Sequence, residues 1–455
     1  MPVLTATDVS QICRGRLIGD GSRSVSSVVA DSREATRNAA FVAVRGGHDF
    51  IDAAFASGAA FVVVEREESL PSNPASAVVV DNTVQALSDL AMHIRSQLAV
   101  RCVGITGSTG KTLTKDLVAA AVGVRYRVHS APRSYNTDVT VPTVVIGCPD
   151  DAEVLVTELG ARRAGEIAEL CAFVQPHIGV ITGIGSTHLE MFGSRRVIAQ
   201  TKSELLSALP PDGLGVVPSD DDFLDVFSET TSARLRTIGA GGAIQYHAVG
   251  IDGGGRTHGV VTVDGEELPV RLAVPNRALM RNAAMALAVA IELGIDPREA
   301  SAALANAALS SARMQILDIG DWTVANDAYN ANPTSTAAAL RSVRELAGDR
   351  EAWAILGPMA ELGSRSADSH RRIGRLARSL GFRGVITVGD VEAAAIAGAA
   401  GDIAHRVVSM DEAAAAAIDL IAPGSVVLIK ASRVAGLDLL PDELTRRLQS
   451  IQREA

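Results

Sequence analysis

The feature that most constrains this chain is the run Arg-Cys-Val-Gly-Ile-Thr-Gly-Ser-Thr-Gly-Lys-Thr at residues 101–112. A strand-like stretch passes through Gly104, Gly107 and Gly110 into Lys111, Thr112 and a helical run to about 122. A strand that turns on glycines into a helix is one βα unit, and repeated βα units require a parallel sheet covered by helices. The same turn converges backbone N–H groups and a helix N-terminus on one point, which favours an anion. The spelling departs from G-x-x-x-x-G-K-[ST], because Ile105 stands where the first glycine belongs. An ordinary βα turn with a chance Gly-Lys-Thr is the competing reading. Strand, glycines and Lys-Thr in register favour a phosphate loop, with Lys111 on the β/γ phosphates and Thr112 on Mg²⁺.

The rest of the chain has the same grammar. At 455 residues it exceeds one ordinary core. Residues 1–98 read as a small α/β unit. Residues 99–310 alternate strands (Ala-Glu-Val-Leu-Val-Thr-Glu, His-Ile-Gly-Val-Ile-Thr-Gly, Gly-Leu-Gly-Val-Val-Pro) with helices, then pass into antiparallel hairpins around 250–275. The glycines of those hairpins do not make G-x-G-x-x-G after a strand. Residues 311–455 repeat strand then helix four times, a Rossmann-like sheet of its own. The expected fold is therefore α/β in three domains: a small N-terminal one, a central parallel-sheet ATPase with an antiparallel addition, and a Rossmann-like C-terminal one.

Net charge is −10 and no Lys/Arg cluster could track a phosphate backbone, which argues against a nucleic-acid partner. Apolar runs are short and no basic-then-apolar start is present, so neither membrane insertion nor export is expected, and a cytoplasmic location is. Cys13, Cys102, Cys148 and Cys171 lack C-x-x-C spacing and read as thiols rather than disulfides or zinc ligands.

In a doubly wound sheet the strand C-terminal ends collect on the edge that carries the phosphate loop. That edge gathers Glu158, at the end of one strand, and His188, after the next, near Thr112. Both are candidates to complete Mg²⁺ coordination. Lys202 lies in the helical run Ile-Ala-Gln-Thr-Lys-Ser-Glu-Leu-Leu. Each also has a plain alternative: a capping carboxylate, a helix-start histidine and a solvated lysine.

Thr106-Gly107-Ser108-Thr109-Gly110-Lys111-Thr112 resembles the variant phosphate loop of the Mur ligase family. Landmarks from Asp31-Ser32-Arg33 to Ile-Lys-Ala-Ser-Arg at 429–433 agree in order. Among them are Ser-Tyr-Asn-Thr-Asp at 134–138, Asn-Asp-Ala-Tyr-Asn-Ala-Asn-Pro at 326–333 and Leu-Gly-Pro-Met-Ala-Glu-Leu-Gly at 356–363. The resemblance is strongest to the branch that adds D-alanyl-D-alanine to UDP-N-acetylmuramoyl-tripeptide in peptidoglycan synthesis. It implies three domains, for the UDP-linked acid, for ATP and for the incoming amine, and amide formation through an acyl phosphate.

Carried over residue by residue, Lys111 holds the β/γ phosphates, Thr112 and Glu158 bind one Mg²⁺, and His188 helps bind a second. Lys202 matches a lysine that is carbamylated into a metal-ligating group. Asn282 matches an adenine-contacting asparagine and Arg313 an arginine reaching the nucleotide phosphates from the third domain. Asp327, Tyr329, Asn330 and Asn332 match a motif that closes over ribose and base. Ser32, Arg33, His48, Asn136, Asp138, Glu361, Lys430, Ser432 and Arg433 fall at substrate-side positions.

Departures from the family pattern sit on the substrate and adenine sides. Gly46 runs directly into Gly47-His48-Asp49-Phe50, shortening a loop. Asn136-Thr137-Asp138 replaces Asn-Asn-Glu, Ala278 replaces a histidine with Asn276 for a glycine, and Ser219-Asp220-Asp221-Asp222 replaces Asn-Ala-Asp-Asp. Pro358 replaces an acidic residue. Two other readings stand beside the cell-wall ligase: a paralogue joining a different acid and amine in secondary metabolism, and a silent nucleotide-binding scaffold.

Overall fold

The computed structural model describes residues 3–72, 76–185 and 189–454, with side chains through Ile451. Three larger sheets follow one another along the chain. The first has five strands, ordered Arg16–Gly19, Ser76–Val79, Phe61–Val64, Ala39–Val42 and Ser27–Val29, parallel except at the Arg16–Gly19 edge. Continuous apolar strands such as Phe-Val-Val-Val at 61–64 are buried along their whole length, as strands covered on both faces must be.

The second sheet has nine strands. Its parallel part runs Val128–Ser130, Val154–Glu158, Arg101–Thr106, Ile178–Ile181, Leu214–Pro218, Arg234–Ile238 and Ile244–Ile251, and the hairpin strands Thr257–Val263 and Glu266–Leu272 extend it antiparallel. Parallel strands buried on both faces read as apolar runs. The hairpins alternate instead, with every second residue of Thr257–Val263 buried.

Register fixes the active edge. Glu158 pairs with Ile105 and Ile181 with Thr106, so three neighbouring strands end level with the start of the loop. The Leu279–Glu292 helix is buried from Leu279 to Ala290 except at Arg281. Its alanines let it lie close against the Lys111–Val122 helix, which brings Asn282 beneath the phosphate loop.

The third sheet has six strands, in the order Gln315–Ile319, Trp322–Asn326, Val426–Lys430, Ala352–Leu356, Gly384–Val388 and Ala404–Val407. Four of these are the expected ones. The two edge strands were not: Gln315–Ile319 pairs antiparallel, and both are half-exposed, without the apolar run that marks the central strands. The cysteines are free, three of them buried. Among the described residues no helix is long and apolar enough to cross a membrane.

Candidate functional site

The phosphate loop is held from beneath. Gly107 has φ 139°, and a Cβ there would lie 2.0 Å from Thr182 Oγ1, which donates to the Thr109 carbonyl at 2.6 Å. Gly110, φ 83°, is the N-cap of the Lys111–Val122 helix, whose start therefore has no side-chain cap and is open to an anion. A Cβ at Gly110 would lie 2.6 Å from Asn282 Nδ2. Asn282 Nδ2 itself donates to the Gly110 carbonyl at 3.1 Å and to Thr114 Oγ1 at 2.6 Å. Its amide therefore braces the loop, a task the sequence did not disclose. Thr106 Oγ1 ties the strand end to the Leu159 carbonyl at 2.8 Å. Ser108 Oγ is buried with no hydrogen-bond partner among the described residues, an orphaned donor of the kind that a ligand oxygen satisfies.

Beside the loop stand two of the residues expected to hold a cation. Glu158 is 2% exposed, and its two oxygens accept from Thr112 Oγ1 at 2.7 Å and Asn136 Nδ2 at 2.8 Å. A hydroxyl and a buried carboxylate side by side are a hard, oxygen-only donor set of the kind Mg²⁺ takes. Lys111 Nζ folds back onto the Gly107 carbonyl at 2.9 Å. Burial pushes its pKa down, the Arg313 charge lowers it further, and Glu158 opposes both.

Lys202, on the Arg195–Ser207 helix, is 3% exposed and has no hydrogen-bond partner among the described residues. Burial, followed by repulsion from Lys111, lowers its pKa to about 7. A lysine in that range is substantially neutral at neutral pH, and a neutral amine is what adds to CO₂. His188 lies outside the described residues.

Ser108, Gly110, Lys111, Thr112, Glu158, Lys202 and Asn282 line one cleft of ≈ 2440 Å³ that also takes in residues of the first and third units. Arg313 crosses from the third, flanked by Ala312 and Met314, both at φ 54°. That left-handed backbone is strained for non-glycine residues. It is held by Tyr329 N–H on the Ala312 carbonyl at 3.1 Å and by Met314 N–H on Asp327 Oδ1 at 3.1 Å. The result aims Arg313 into the cleft. Its Nη2 donates to Ser134 Oγ at 2.7 Å, and its guanidinium stacks 4.1 Å from the Tyr329 ring centroid, with Arg433 at 5.8 Å from the same ring. Arg313 Nε is buried without a partner among the described residues. Ser134 Oγ also lies 2.9 Å from Thr112 Oγ1, so a residue not singled out in the sequence links the arginine to the loop.

Several candidates have other tasks. His48 is buried; Nε2 accepts from Glu65 N–H at 3.0 Å and Nδ1 lies 3.3 Å from the Arg45 carbonyl, which leaves neither nitrogen for substrate. Lys430, a substrate-side expectation, spends its ammonium on Asp327 Oδ2 at 2.5 Å and on the carbonyls of Asp327 and Asn330 at 3.2 and 3.0 Å. It is a buried strut under the Asp327–Asn330 loop. Asn332 caps the Pro333–Ala347 helix, accepting from Ser335 N–H at 2.9 Å.

Ser32 and His48 lie off the cleft lining. Arg33 lines the cleft and pairs with Asp31 at 2.6 Å. Glu361, Asn330 and Ser432 are on its wall too, and Ser432 Oγ is buried without a partner among the described residues.

Three of the departures from the family pattern, the shortened loop, Asp138 and the 219–222 stretch, have identifiable contacts. Arg45, at φ 53° beside the shortened loop, pairs with Asp138 at 3.0 Å, so two of the changes meet in one contact between the first and second sheets. Tyr135 OH donates to Glu34 Oε1 at 2.9 Å across the same seam. In the 219–222 stretch, Asp220 pairs with Arg281 at 2.8 Å and Asp222 with Arg195 at 2.7 Å. Asp221, raised by burial, accepts Ile184 N–H at 2.8 Å.

Comparison with known proteins agrees with this geometry. Residues 105–290 match the Mur ligase middle domain and residues 312–433 the Mur ligase glutamate ligase domain. The UDP-N-acetylmuramoyl-tripeptide–D-alanyl-D-alanine ligase of Mycobacterium tuberculosis is 35% identical over 93% of this chain and 92% of its own. A crystal structure of MurF from Acinetobacter baumannii superposes with a TM-score of 0.88 at 27% identity, covering 98% of this chain and 99% of that one. MurF from Thermotoga maritima, solved in complex with ADP, gives 0.81 at 27% identity over 93% and 98%. The chain belongs to the Mur ligase family.

Proposed function

We propose that this protein is an ATP-dependent ligase that joins D-alanyl-D-alanine to UDP-N-acetylmuramoyl-tripeptide, with residues 1–98, 99–310 and 311–455 as the domains for the UDP-linked acid, for ATP and for the dipeptide. The observation that carries the reading is the convergence of Lys111, Thr112, Glu158 and Lys202 in one cleft, with Arg313 reaching in from the third sheet. The activity for which the Mycobacterium tuberculosis relative is named and the ADP bound to the Thermotoga maritima one support it.

In this reading the acid's carboxylate oxygen attacks the γ-phosphorus of ATP and ADP leaves. The dipeptide nitrogen then attacks the acyl carbon, the carbon–oxygen bond to phosphate breaks, and amide, inorganic phosphate and a proton result. Little covalent work falls to the protein, whose part is positioning and charge neutralisation. Lys111 and the uncapped helix start hold the β and γ phosphates. Arg313, braced by Ser134 and Tyr329, brings a second positive charge from the other wall. Thr112 and Glu158 would hold Mg²⁺, which supplies charge neutralisation on the transferring phosphoryl oxygens.

Among the described residues no three His, Cys, Asp or Glu side chains gather into a metal site. A carbamate on Lys202 would add oxygens to the Thr112 hydroxyl and the Glu158 carboxylate. The unusually acidic Lys202 amine, buried without a partner among the described residues, suits that modification.

The test is ADP release with UDP-N-acetylmuramoyl-tripeptide, D-Ala-D-Ala, ATP and Mg²⁺, with Lys111→Ala as control. Lys111-dependent amide formation is expected. No amide from the wild type, with ATP still bound, would refute the reading.

A further inference from the structure

Helices Pro333–Ala347 and Ser366–Ser379 pack side by side in the third unit and both line the cleft. Their arginines divide into two sets. Arg344 donates to the carbonyls of Gly348 and Arg350 at 2.6 and 3.3 Å. Arg371 and Arg378 pair with Asp368 and Asp402 at 3.8 and 3.1 Å. Arg341, Arg372 and Arg375, with Arg365 at the start of the second helix, are the ones on the cleft wall. They are exposed and have no carboxylate partner among the described residues. The chain carries 52 acidic against 42 basic side chains, so a general shortage of acids does not account for this. The acids that this unit adds to the cleft lining are Asp327, Glu361 and Asp368.

The apolar residues that these two helices add to the cleft lining include Ala337, Ala338, the 3%-exposed Ile373 and Leu376. Arg372 and Arg375 are three apart on one helix and so point the same way. A planar guanidinium binds a carboxylate through two parallel hydrogen bonds, which a lysine cannot do. Two adjacent alanines on the neighbouring helix present only methyl groups at this wall and leave space beside the arginines. The combination suits a short peptide with small side chains and a free C-terminal carboxylate.

We propose that this groove binds the terminal carboxylate of the incoming dipeptide through Arg372 and Arg375, with Arg341 on the neighbouring helix, and so sets which end of the dipeptide faces the reacting centre. The proposal rests on the ligase reading above. It adds no chemical step: the arginines orient the dipeptide so that its amine, rather than its carboxylate, meets the acyl phosphate.

The experiment compares D-Ala-D-Ala with its C-terminal carboxamide on the wild type and on Arg372→Ala/Arg375→Ala, with Arg341→Ala as a milder variant. The wild type should prefer the free acid by about tenfold or more in kcat/KM, the scale of one charge-assisted bidentate contact. The double variant should treat the two alike within about twofold, through a higher KM for the acid, while KM for ATP and for the UDP-tripeptide stays put. Retained preference for the acid in the double variant overturns the proposal. So does a rise in KM for the tripeptide instead, which would give the groove to a carboxylate of the other substrate.

If the wild type forms no amide at all, the ligase reading falls and calorimetric titration of D-Ala-D-Ala decides the groove alone. Binding by the wild type that the double variant lacks upholds it. Absence of binding by both overturns it.

Discussion

Burial of Lys202 has a consequence for stability that can be measured without any substrate. Its amine is held at a pKa of about 7 against an ordinary 10.5, first by burial and then by Lys111. A gap of that size is a penalty of roughly 5 kcal/mol on the charged form in the folded state. Below pH 7 the lysine is protonated folded and unfolded, so the whole penalty weighs on the native state. Between about 7 and 10.5 the unfolded chain holds a proton that the folded one has lost, so stability rises with pH.

Lys202→Met removes the penalty at all pH values. Its advantage over the wild type should therefore be largest near pH 6 and shrink by roughly 3 kcal/mol by pH 9. For a unit of about 200 residues, that is a narrowing of the Tm gap by several degrees. Differential scanning calorimetry in CO₂-free buffers from pH 6 to 9 reads it directly. A Tm gap that stays constant across this range would refute the reasoning, since it would mean that the amine is solvated or paired with an acid.

Two further outcomes are expected. Glu158→Gln keeps an acceptor for Thr112 but loses the charge; turnover should fall by about a hundredfold or more and half-saturation should move to higher Mg²⁺, as titrations of ADP release would show. Gly107→Ala places a methyl 2.0 Å from Thr182 Oγ1 at a φ of 139°, so the loop must shift. ATP binding followed by calorimetry should weaken by about tenfold or more while the Tm changes little, because the loop lies at the sheet edge rather than in the core.

Much of the site was legible because its residues carry their meaning locally. Glycines at 107 and 110, Lys111 and Thr112 specify a loop whose neighbours along the chain do the work. Glu158 could be placed from the rule that parallel strands end on one edge, and the register confirms that placement. The edge strands Gln315–Ile319 and Ala404–Val407 escaped because a strand paired on one side needs no continuous apolar run. Ser134 escaped for another reason. A serine in a polar loop has no periodicity, and its importance comes from touching Thr112 and Arg313, which lie 22 and 179 residues away in the chain.

The charged residues divide most clearly between what is written in the chain and what folding decides. The order of elements, the βα turn and its anion preference follow from residue type and spacing, since backbone geometry and hydrophobic period are local properties. Whether a charge serves the ligand or the scaffold is not local. Lys430 and Lys202 both stand in apolar surroundings and are equally buried to within a percent. Lys430 is a strut because Asp327 and Asn330 present three acceptors to it. Lys202 has none among the described residues and sits near another cation instead. Only the tertiary structure brings acceptors to one ammonium and withholds them from the other. The desolvation cost that lowers the pKa of Lys202 exists only once the chain has folded around it.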